Sequence, residues 1–283
     1  MKILITGTNG QVGHALMREL TDHELIGLTR QDCELTNPDQ IKQVIDQHQP
    51  DLIINPAAYT KVDQAEDEPE LAFQINRDAP KVMAEKAREY NIPFIHFSTD
   101  YVLDGEKEDA YYENDKTNPL GVYGQSKLEG EVAIKKVGGF FYIFRTSWVY
   151  SNIGHNFYLK IKKLSFEKNL LRVVGDQYGV PTSNFFIANQ IKQIIPKLSP
   201  SNIGLYHLVP DGSVNWFGFA KNIISKVNPK FNFDDLIFIL SSEYKTKVKR
   251  PSNSILLNEK IKRTFMLEFN DWQIELDRII NGA

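Results

Sequence analysis

The sequence predicts an α/β fold organised around a parallel sheet, because strand-like and helix-like segments alternate through its first half. The segment from Lys2 to Thr6 is apolar and β-branched, as expected of a buried strand, and it ends in a glycine-rich turn. Helical spacing of apolar residues follows at once, at Val12, Leu16 and Leu20. We therefore expect a Rossmann-type doubly wound parallel sheet. Weaker alternation in the second half predicts a smaller, irregular α/β C-terminal lobe that binds substrate.

The composition is that of an ordinary water-soluble globular protein. Of the 283 residues, 42% are hydrophobic and 24% are charged, and the net charge of −3 gives no electrostatic reason to expect nucleic acid or a membrane as partner. The single cysteine, Cys33, excludes an internal disulfide and fits a reducing compartment. The apolar run at the start is too short for a signal peptide, and the six histidines show no metal-site spacing. We therefore expect a cytoplasmic protein without a catalytic metal.

The turn after the first strand carries three glycines, Gly7, Gly10 and Gly13, at intervals of three residues. Gly7 permits the tight turn, Gly10 allows the backbone to approach a pyrophosphate, and Gly13 allows close contact between helix and strand. Glycine turns also occur without ligands, but the position of this one between a strand and a helix favours dinucleotide binding. The candidate contacts in the turn are Gly7, Asn9, Gly10, Gln11, Val12 and Gly13.

The end of the second strand, Glu24 to Leu28, is where the adenosine ribose of a dinucleotide would lie. A carboxylate at this point favours NADH, whereas a basic residue accommodates the 2′-phosphate of NADPH. Thr29 and Arg30 stand there and Asp32 follows, so the choice leans toward NADPH but stays open. A solvated loop with mixed charges is an equally good interpretation of these residues.

The next strand, Asp51 to Asn55, runs into the small residues Ala57 and Ala58 at the edge where a cofactor would cross the sheet. A helix-like segment over 70–90 follows, and its Ala79-Pro80 dipeptide predicts an irregularity. Asn76 within this segment is either a buried structural amide or a site residue. Another strand is expected over 93–97, and it runs into a polar exit.

A Tyr-x-x-x-Lys pair, Tyr123 and Lys127, begins a predicted helix and lies on one face of it. A nearby ammonium stabilises phenolate, so we expect Lys127 to lower the pKa of Tyr123 and equip it for proton transfer near neutral pH. Ser98, Thr99 and Asp100 follow a strand, where their side chains would face a substrate carbonyl. Both features have plainer explanations, because such pairs occur on many helix surfaces and such polar residues often only cap a turn.

The second half of the chain is less regular. Its strand-like and helix-like segments cover 140–145, 170–174, about 188–198, 204–208, 216–227 and 272–280, and a basic, hydroxyl-rich loop covers 249–254. We expect residues 1–150 to form a dinucleotide-binding domain, with later returns near 170–200, and residues 151–283 to form mainly the substrate-binding lobe. The active site would lie in a crevice between the two.

These motifs together resemble the extended short-chain dehydrogenase/reductase superfamily and, within it, the dTDP-4-dehydrorhamnose reductase family. The glycine spacing and the Tyr-x-x-x-Lys pair specify only the superfamily, whereas Arg145-Thr-Ser-Trp-Val-Tyr150 and Asp176-Gln-Tyr-Gly-Val-Pro-Thr182 point to this family. The chain departs from the family pattern at Pro56, where alanine is usual, at Thr29, where an acid is frequent, and at Glu34, where aspartate is usual. The other matching segments span nearly the whole chain, at 6–13, 57–63, 98–102, 122–127, 204–208 and 250–254.

The resemblance implies reduction of the C4 ketone of dTDP-4-dehydro-β-L-rhamnose by NADPH or NADH, with NADPH slightly favoured. Tyr123 would deliver the proton, and Thr99 would donate to the carbonyl oxygen. Lys127 would favour ionisation of Tyr123 and bind the nicotinamide ribose. Trp148 would pack on the sugar, unless it is a core aromatic. The other cofactor contacts that the resemblance implies are Thr29, Arg30, Glu34, Leu35, Ala57, Ala58 and Tyr59.

Asp100, Asn156 and Arg250 are further substrate candidates under this resemblance. An arginine can bind the phosphate oxygens of a nucleotide diphosphate in bidentate fashion. For Arg250 a solvated salt bridge is nearly as good an explanation, and for Asn156 a turn cap is slightly better. The resemblance also suggests a homodimer.

Two other functions stay open for this sequence. One is an NDP-sugar epimerase or dehydratase of the same fold, which would keep NAD bound without net consumption. Asp100 beside Thr99 is the acidic residue that a dehydratase would need. Alternatively, relatives of this family act as regulatory subunits of methionine adenosyltransferase and use the fold only for binding. The intact Thr99, Tyr123 and Lys127 argue against that second alternative.

Overall fold

The structure, a computed structural model, describes residues 1–282. In chain order its strands are β1 (Lys2–Thr6), β2 (Glu24–Leu28), β3 (Leu52–Asn55), β4 (Phe94–Thr99), β5 (Phe141–Thr146), β6 (Val149–Tyr150), β7 (Leu171–Val174), β8 (Tyr178–Gly179), β9 (Thr182–Ser183), β10 (Gly204–His207), β11 (Val214–Asn215) and β12 (Leu236–Ile239). Its α-helices are α1 (Gln11–Glu19), α2 (Pro38–His48), α3 (Pro69–Phe73), α4 (Ala79–Glu89), α5 (Val122–Val137), α6 (Phe157–Glu167), α7 (Asn184–Ile194), α8 (Trp216–Val227), α9 (Glu259–Phe265) and α10 (Trp272–Ile280).

A six-stranded parallel sheet lies at the centre of the molecule, in the order β10-β5-β4-β3-β1-β2. The predicted α/β doubly wound parallel fold is therefore confirmed. The strand order reverses at β1, because β2 lies on one side of it and β3 on the other. Ligands in such sheets bind outside the carboxyl ends of the strands at the point of reversal. The glycine turn after β1 and residues 56–59 after β3 meet at that point.

Helices cover both faces of the sheet, which explains the near-continuous apolar runs of its strands. Leu16 of α1 and Ile187 of α7 belong to the core on one face, and Ile41 of α2 and Met83 of α4 belong to the core on the other. A separate core supports the C-terminal lobe and includes Tyr150, Tyr158, Phe219, Trp272 and Leu276. The second half of the chain thus contributes both to the sheet, through β10, and to its own core. The boundaries between the two domains stay a prediction.

Two helices differ locally from the sequence prediction. The helix expected near 188–198 begins earlier, at Asn184, because the Ser183 hydroxyl accepts from the N–H of Phe186 at 3.0 Å and caps it. The helix expected over 70–90 contains a π-helical turn, Gln74–Asp78, that ends just before the predicted irregularity at Ala79-Pro80. Within residues 1–282, no helix combines the length and the apolar character needed to cross a bilayer.

Candidate active site

A crevice of about 920 Å³ lies along the carboxyl ends of the central strands. Its walls come from the glycine turn after β1, residues 28–30 and 33–35 at the end of β2 and beyond it, residues 56–61 after β3 and the start of α5. Residues 153–155 from the second half of the chain also line it, and no sequence pattern marked them. All the residues predicted to contact the cofactor line this crevice: Gly7, Asn9, Gly10, Gln11, Val12, Gly13, Thr29, Arg30, Glu34, Leu35, Ala57, Ala58, Tyr59, Tyr123 and Lys127.

The glycine turn is packed so closely that larger residues would not fit. Gly7 has a φ of +59°, a left-handed conformation that favours glycine. A Cβ atom at Gly13 would lie 2.3 Å from the carbonyl oxygen of Gly7. Gly10 is the N-cap of α1, so no side chain caps the first N–H groups of this helix. The turn therefore has the close backbone and the free donors that a dinucleotide pyrophosphate requires.

The carboxylate of Asp32, in the turn after β2, is occupied by its own neighbours. Its Oδ2 accepts from the N–H of Thr29 at 2.8 Å and from the hydroxyl of Thr29 at 2.7 Å, and these bonds lower its pKa. Arg30 donates from Nε to Oε2 of Glu34 at 2.7 Å, and its side chain is 74% exposed. Within the described part of the chain, the terminal nitrogens of Arg30 make no hydrogen bond. The turn therefore offers a free guanidinium edge rather than a free carboxylate.

Thr99, the last residue of β4, lies beside Tyr123 in the first turn of α5. The Thr99 hydroxyl donates to Oδ1 of Asp100 at 3.0 Å and accepts from the N–H of Tyr101 at 3.2 Å. The ring of Tyr123 meets that of Tyr101 edge-on, with 5.6 Å between the ring centroids. The structure thus brings together Thr99, Asp100 and Tyr123, which the sequence places in two separate segments.

The pKa of Tyr123 is raised, contrary to the expectation that Lys127 lowers it. Burial is the main cause, because it disfavours the charged phenolate, and the neighbouring hydroxyl of Thr99 opposes it only in part. Burial also lowers the pKa of Lys127 to about 7. Lys127 is therefore only partly charged near neutral pH and supplies little positive charge to a phenolate. By the same effect, burial raises the pKa of Asp100 to about 6.

Lys127 is 2% exposed, and two polar atoms lie within hydrogen-bond distance of its Nζ. Nζ donates to the carbonyl oxygen of Phe97 at 2.6 Å and lies 3.2 Å from Nε2 of His96. No sequence pattern marked His96, because a histidine inside an apolar strand is usually a core residue. The contact with Lys127 becomes visible only when β4 and α5 are packed together.

A second cavity, of about 1050 Å³, lies beside the C-terminal lobe. Arg250 lines it and donates from Nη2 to Oδ2 of Asp63 at 2.7 Å. The aromatic rings of Phe157 and Trp216 line it as well. Asp63 is the one acidic residue among its lining residues, whereas the basic ones include Lys160, Lys168, Arg172, Lys245, Lys247 and Lys249. This excess of positive charge suits an anionic ligand.

Trp148 and Asn156 do not line either of these cavities. Trp148 stacks flat on Trp216, with ring centroids 3.5 Å apart and an angle of 9° between the planes. Trp148 therefore supports the ring of Trp216, which lines the second cavity. Asn156 caps α6, because its Oδ1 accepts from the N–H of Leu159 at 3.0 Å. Its Nδ2 donates to Oε1 of Gln11 at 2.8 Å, which joins the C-terminal lobe to the glycine turn. The turn-capping alternative for Asn156 therefore has a direct structural basis.

A doubly wound sheet with a glycine turn at its reversal, and a Tyr-x-x-x-Lys pair at the crevice, places this protein among the short-chain dehydrogenases/reductases. The whole chain, residues 1–283, matches the family described as RmlD substrate binding domain. It is 38% identical to the dTDP-4-dehydrorhamnose reductase of Sinorhizobium fredii, over 99% of this chain and 97% of that protein. It is 37% identical to the dTDP-4-dehydrorhamnose reductase of Escherichia coli K12, again over 99% and 97%.

A crystal structure of dTDP-4-dehydrorhamnose reductase from Bacillus anthracis in complex with NADP has the same fold, with a TM-score of 0.94. That chain is 33% identical to this one, and the match covers 100% of this chain and 99% of the other. The chain therefore belongs to the RmlD family, in which the similar proteins are dTDP-4-dehydrorhamnose reductases, NAD(P)H-dependent oxidoreductases. The family resemblance inferred from the motifs is confirmed.

Proposed function

We propose that this protein reduces the C4 ketone of dTDP-4-dehydro-β-L-rhamnose to dTDP-L-rhamnose, with NADPH or NADH as the reductant. The observation that carries the proposal is the position of Tyr123 and Lys127 at the crevice, in a chain that matches dTDP-4-dehydrorhamnose reductases over nearly its full length. The NADP in the Bacillus anthracis structure supports a nicotinamide dinucleotide as cofactor.

The crevice has the features that a dinucleotide requires, and the bound cofactor supplies the hydride. The uncapped N–H groups at the start of α1 would bind the pyrophosphate, and the close packing of Gly7 and Gly13 lets the backbone approach it. Ala57 and Ala58 would leave room where the cofactor crosses from β1 to β3. The protein's own part is to hold the reactants and to move a proton.

Tyr123 is the proposed proton donor. Because burial raises its pKa, the phenol keeps its proton near neutral pH and can give it to the oxygen of the reduced carbonyl. Thr99 would supply a second donor to that oxygen once its hydroxyl turns away from Asp100. Lys127 would return a proton to Tyr123 after each transfer, and it would also bind the nicotinamide ribose.

NADPH is favoured over NADH by the arrangement after β2. Asp32 already accepts two hydrogen bonds from Thr29 at one oxygen, so it is poorly placed to bind ribose hydroxyls. Arg30 is fixed through Nε by Glu34, and its outer edge stays free for a 2′-phosphate.

The second cavity is the proposed site of the nucleotide diphosphate and the sugar. Tyr101 lines this cavity, and its ring packs against Tyr123, which lines the crevice. The two cavities therefore approach each other at the proposed proton donor. Arg250 would bind the diphosphate, and the ring of Trp216, backed by Trp148, would offer the sugar or base a flat apolar face. A homodimer and a cytoplasmic location stay predictions.

The test is a spectrophotometric assay of the purified protein with dTDP-4-dehydro-β-L-rhamnose and either reduced cofactor. Loss of the reduced-nicotinamide absorbance, matched mole for mole by dTDP-L-rhamnose in the products, is the expected result. Interconversion of sugars without net cofactor consumption would instead identify an epimerase or a dehydratase. No turnover, together with co-purification of a methionine adenosyltransferase, would identify a binding subunit.

A further inference from the structure

A row of buried polar side chains crosses three neighbouring strands next to the crevice. Thr6, Asn55 and His96 come from β1, β3 and β4, and Asn55 stands directly opposite His96 in the sheet. All three are buried, with exposed fractions of 2%, 0% and 0%. Buried polar groups are costly unless each finds a partner, so such a row calls for an explanation.

Each member of the row contacts the next, and the last contacts Lys127. Oγ1 of Thr6 lies 2.6 Å from Oδ1 of Asn55, and Nδ2 of Asn55 lies 3.1 Å from Nδ1 of His96. Nε2 of His96 lies 3.2 Å from Nζ of Lys127. Thr6 and Lys127 both line the crevice, so the row connects two points of the crevice through the interior of the protein.

The directions of these hydrogen bonds follow from the chemistry of the amide. Oδ1 of Asn55 can only accept, so the hydroxyl of Thr6 donates to it. Nδ2 of Asn55 can only donate, so Nδ1 of His96 accepts, and a neutral His96 carries its proton on Nε2. Burial keeps His96 neutral, because it lowers the pKa of the imidazole well below its usual value. The Nε2–H group therefore faces Lys127, whose Nζ can accept it only as a neutral amine.

The charged group that acts on Lys127 is Glu131, one helical turn further along α5. Its carboxylate is bound by Arg145 through two hydrogen bonds of 2.8 Å and by the hydroxyl of Ser98 at 2.6 Å. The positive charge of Arg145 largely balances it. Tyr123, one turn before Lys127, is neutral near pH 7 because its pKa is raised. The row and the carbonyl of Phe97 are thus the direct contacts of the lysine nitrogen.

We propose that Thr6, Asn55 and His96 are positioning residues that stabilise the neutral amine of Lys127 formed in each turnover. The inference rests on the proposed reductase function. Tyr123 gives its O–H proton to the oxygen of the reduced carbonyl, and a proton from the Lys127 ammonium restores the phenol. Lys127 is left as the neutral amine that the Nε2–H group of His96 binds, and it regains a proton from solvent, so one hydride and one solvent proton are consumed. A lysine with an ordinary pKa of about 10.4 would release its proton too rarely near neutral pH.

Thr6→Val tests the row without altering His96 or Lys127, and Thr6→Ser is its matched control. Valine has nearly the shape of threonine but no hydroxyl, so Asn55 is free to turn its oxygen toward His96. The imidazole proton then moves to Nδ1, and Nε2 accepts from the Lys127 ammonium. In Thr6→Val we expect the alkaline limb of the pH profile of kcat to move to higher pH by about one unit. An effect of this size is typical of one hydrogen bond to a charged group. Thr6→Ser keeps the wild-type limb.

The pH dependence of the NADPH dissociation constant, followed by fluorescence, gives a second measurement that needs no turnover. In either pH profile, an apparent pKa that moves upward in Thr6→Val but not in Thr6→Ser supports the row. An unmoved limb in Thr6→Val, or a downward shift, overturns the inference even if the wild-type protein is an active reductase. If circular dichroism shows that Thr6→Val does not fold, His96→Gln takes its place, because its amide can turn an oxygen to Lys127 and should give the same upward shift. A wild-type protein that consumes no NADPH contradicts the proposed function instead, and the binding measurement then decides about the row.

Discussion

Arg30→Ala should weaken the binding of NADPH and leave that of NADH nearly unchanged. The terminal nitrogens of Arg30 are free and its side chain is 74% exposed, so a bond to a 2′-phosphate is screened by solvent and contributes about 1 kcal/mol, roughly fivefold in the dissociation constant. The substitution also releases Glu34, which lines the crevice and would then repel the phosphate. The two effects together predict a loss of about tenfold for NADPH.

Fluorescence titration of the purified protein with each reduced cofactor measures this ratio directly. Lys42→Ala is the matched control, because it removes an exposed positive charge of α2, paired with Asp39, that does not line the crevice. Equal weakening of NADPH and NADH binding in Arg30→Ala would contradict this prediction, since the arginine would then act on the shared part of the dinucleotide. An unchanged NADPH affinity would remove Arg30 from the cofactor site altogether.

The other predictions concern the proton donor and two buried acids. Tyr123→Phe should abolish turnover and change the NADPH dissociation constant by less than about twofold, and wild-type kcat in this variant would exclude Tyr123 as the donor. Glu131→Gln should lower the free energy of unfolding by about 3 kcal/mol in chemical denaturation, because Arg145 would keep a buried charge without its partner; a loss below about 1 kcal/mol would contradict this. Asp100→Asn should gain stability relative to the wild type as the pH rises from about 4 to about 7. Burial raises the pKa of Asp100 from 3.8 to about 6. This shift of about two pKa units means that ionisation across that window destabilises the folded wild type by about 3 kcal/mol. Parallel stability profiles of the variant and the wild type would refute the prediction.

The crevice at the carboxyl ends of the central strands could be predicted well because its features are local in sequence. A strand, three glycines and a helix fix the turn at residues 7–13 without reference to the rest of the chain, and parallel strands bring their carboxyl ends to one edge. Ala57 and Ala58 follow from the same rule, because small residues at a strand end leave room at that edge. Residues 153–155 also reach the crevice, but only tertiary packing of the second half places them there.

The substrate side was harder, because its residues come from elements far apart in the chain. Trp148 was the predicted sugar platform, whereas Trp216, 68 positions further along, lines the cavity and Trp148 stacks behind it. The sequence places both tryptophans next to predicted buried elements, but it cannot show which of the two stacked rings faces outward. The pairing of Asp63 with Arg250 has the same origin, since no spacing rule links residues so distant.

The pKa shift of Tyr123 runs opposite to the direction that the sequence predicts, and it bears on which reaction the site performs. Spacing along a helix predicted that Lys127 would make Tyr123 acidic, but burial dominates and raises the pKa of the phenol while it lowers that of the lysine. An epimerase or a dehydratase begins by removing a proton from a sugar hydroxyl and therefore needs the phenolate. A reductase begins with the protonated phenol, which is the form that this buried site favours. The protonated phenol of this buried site thus fits the proton-donating step of a reduction.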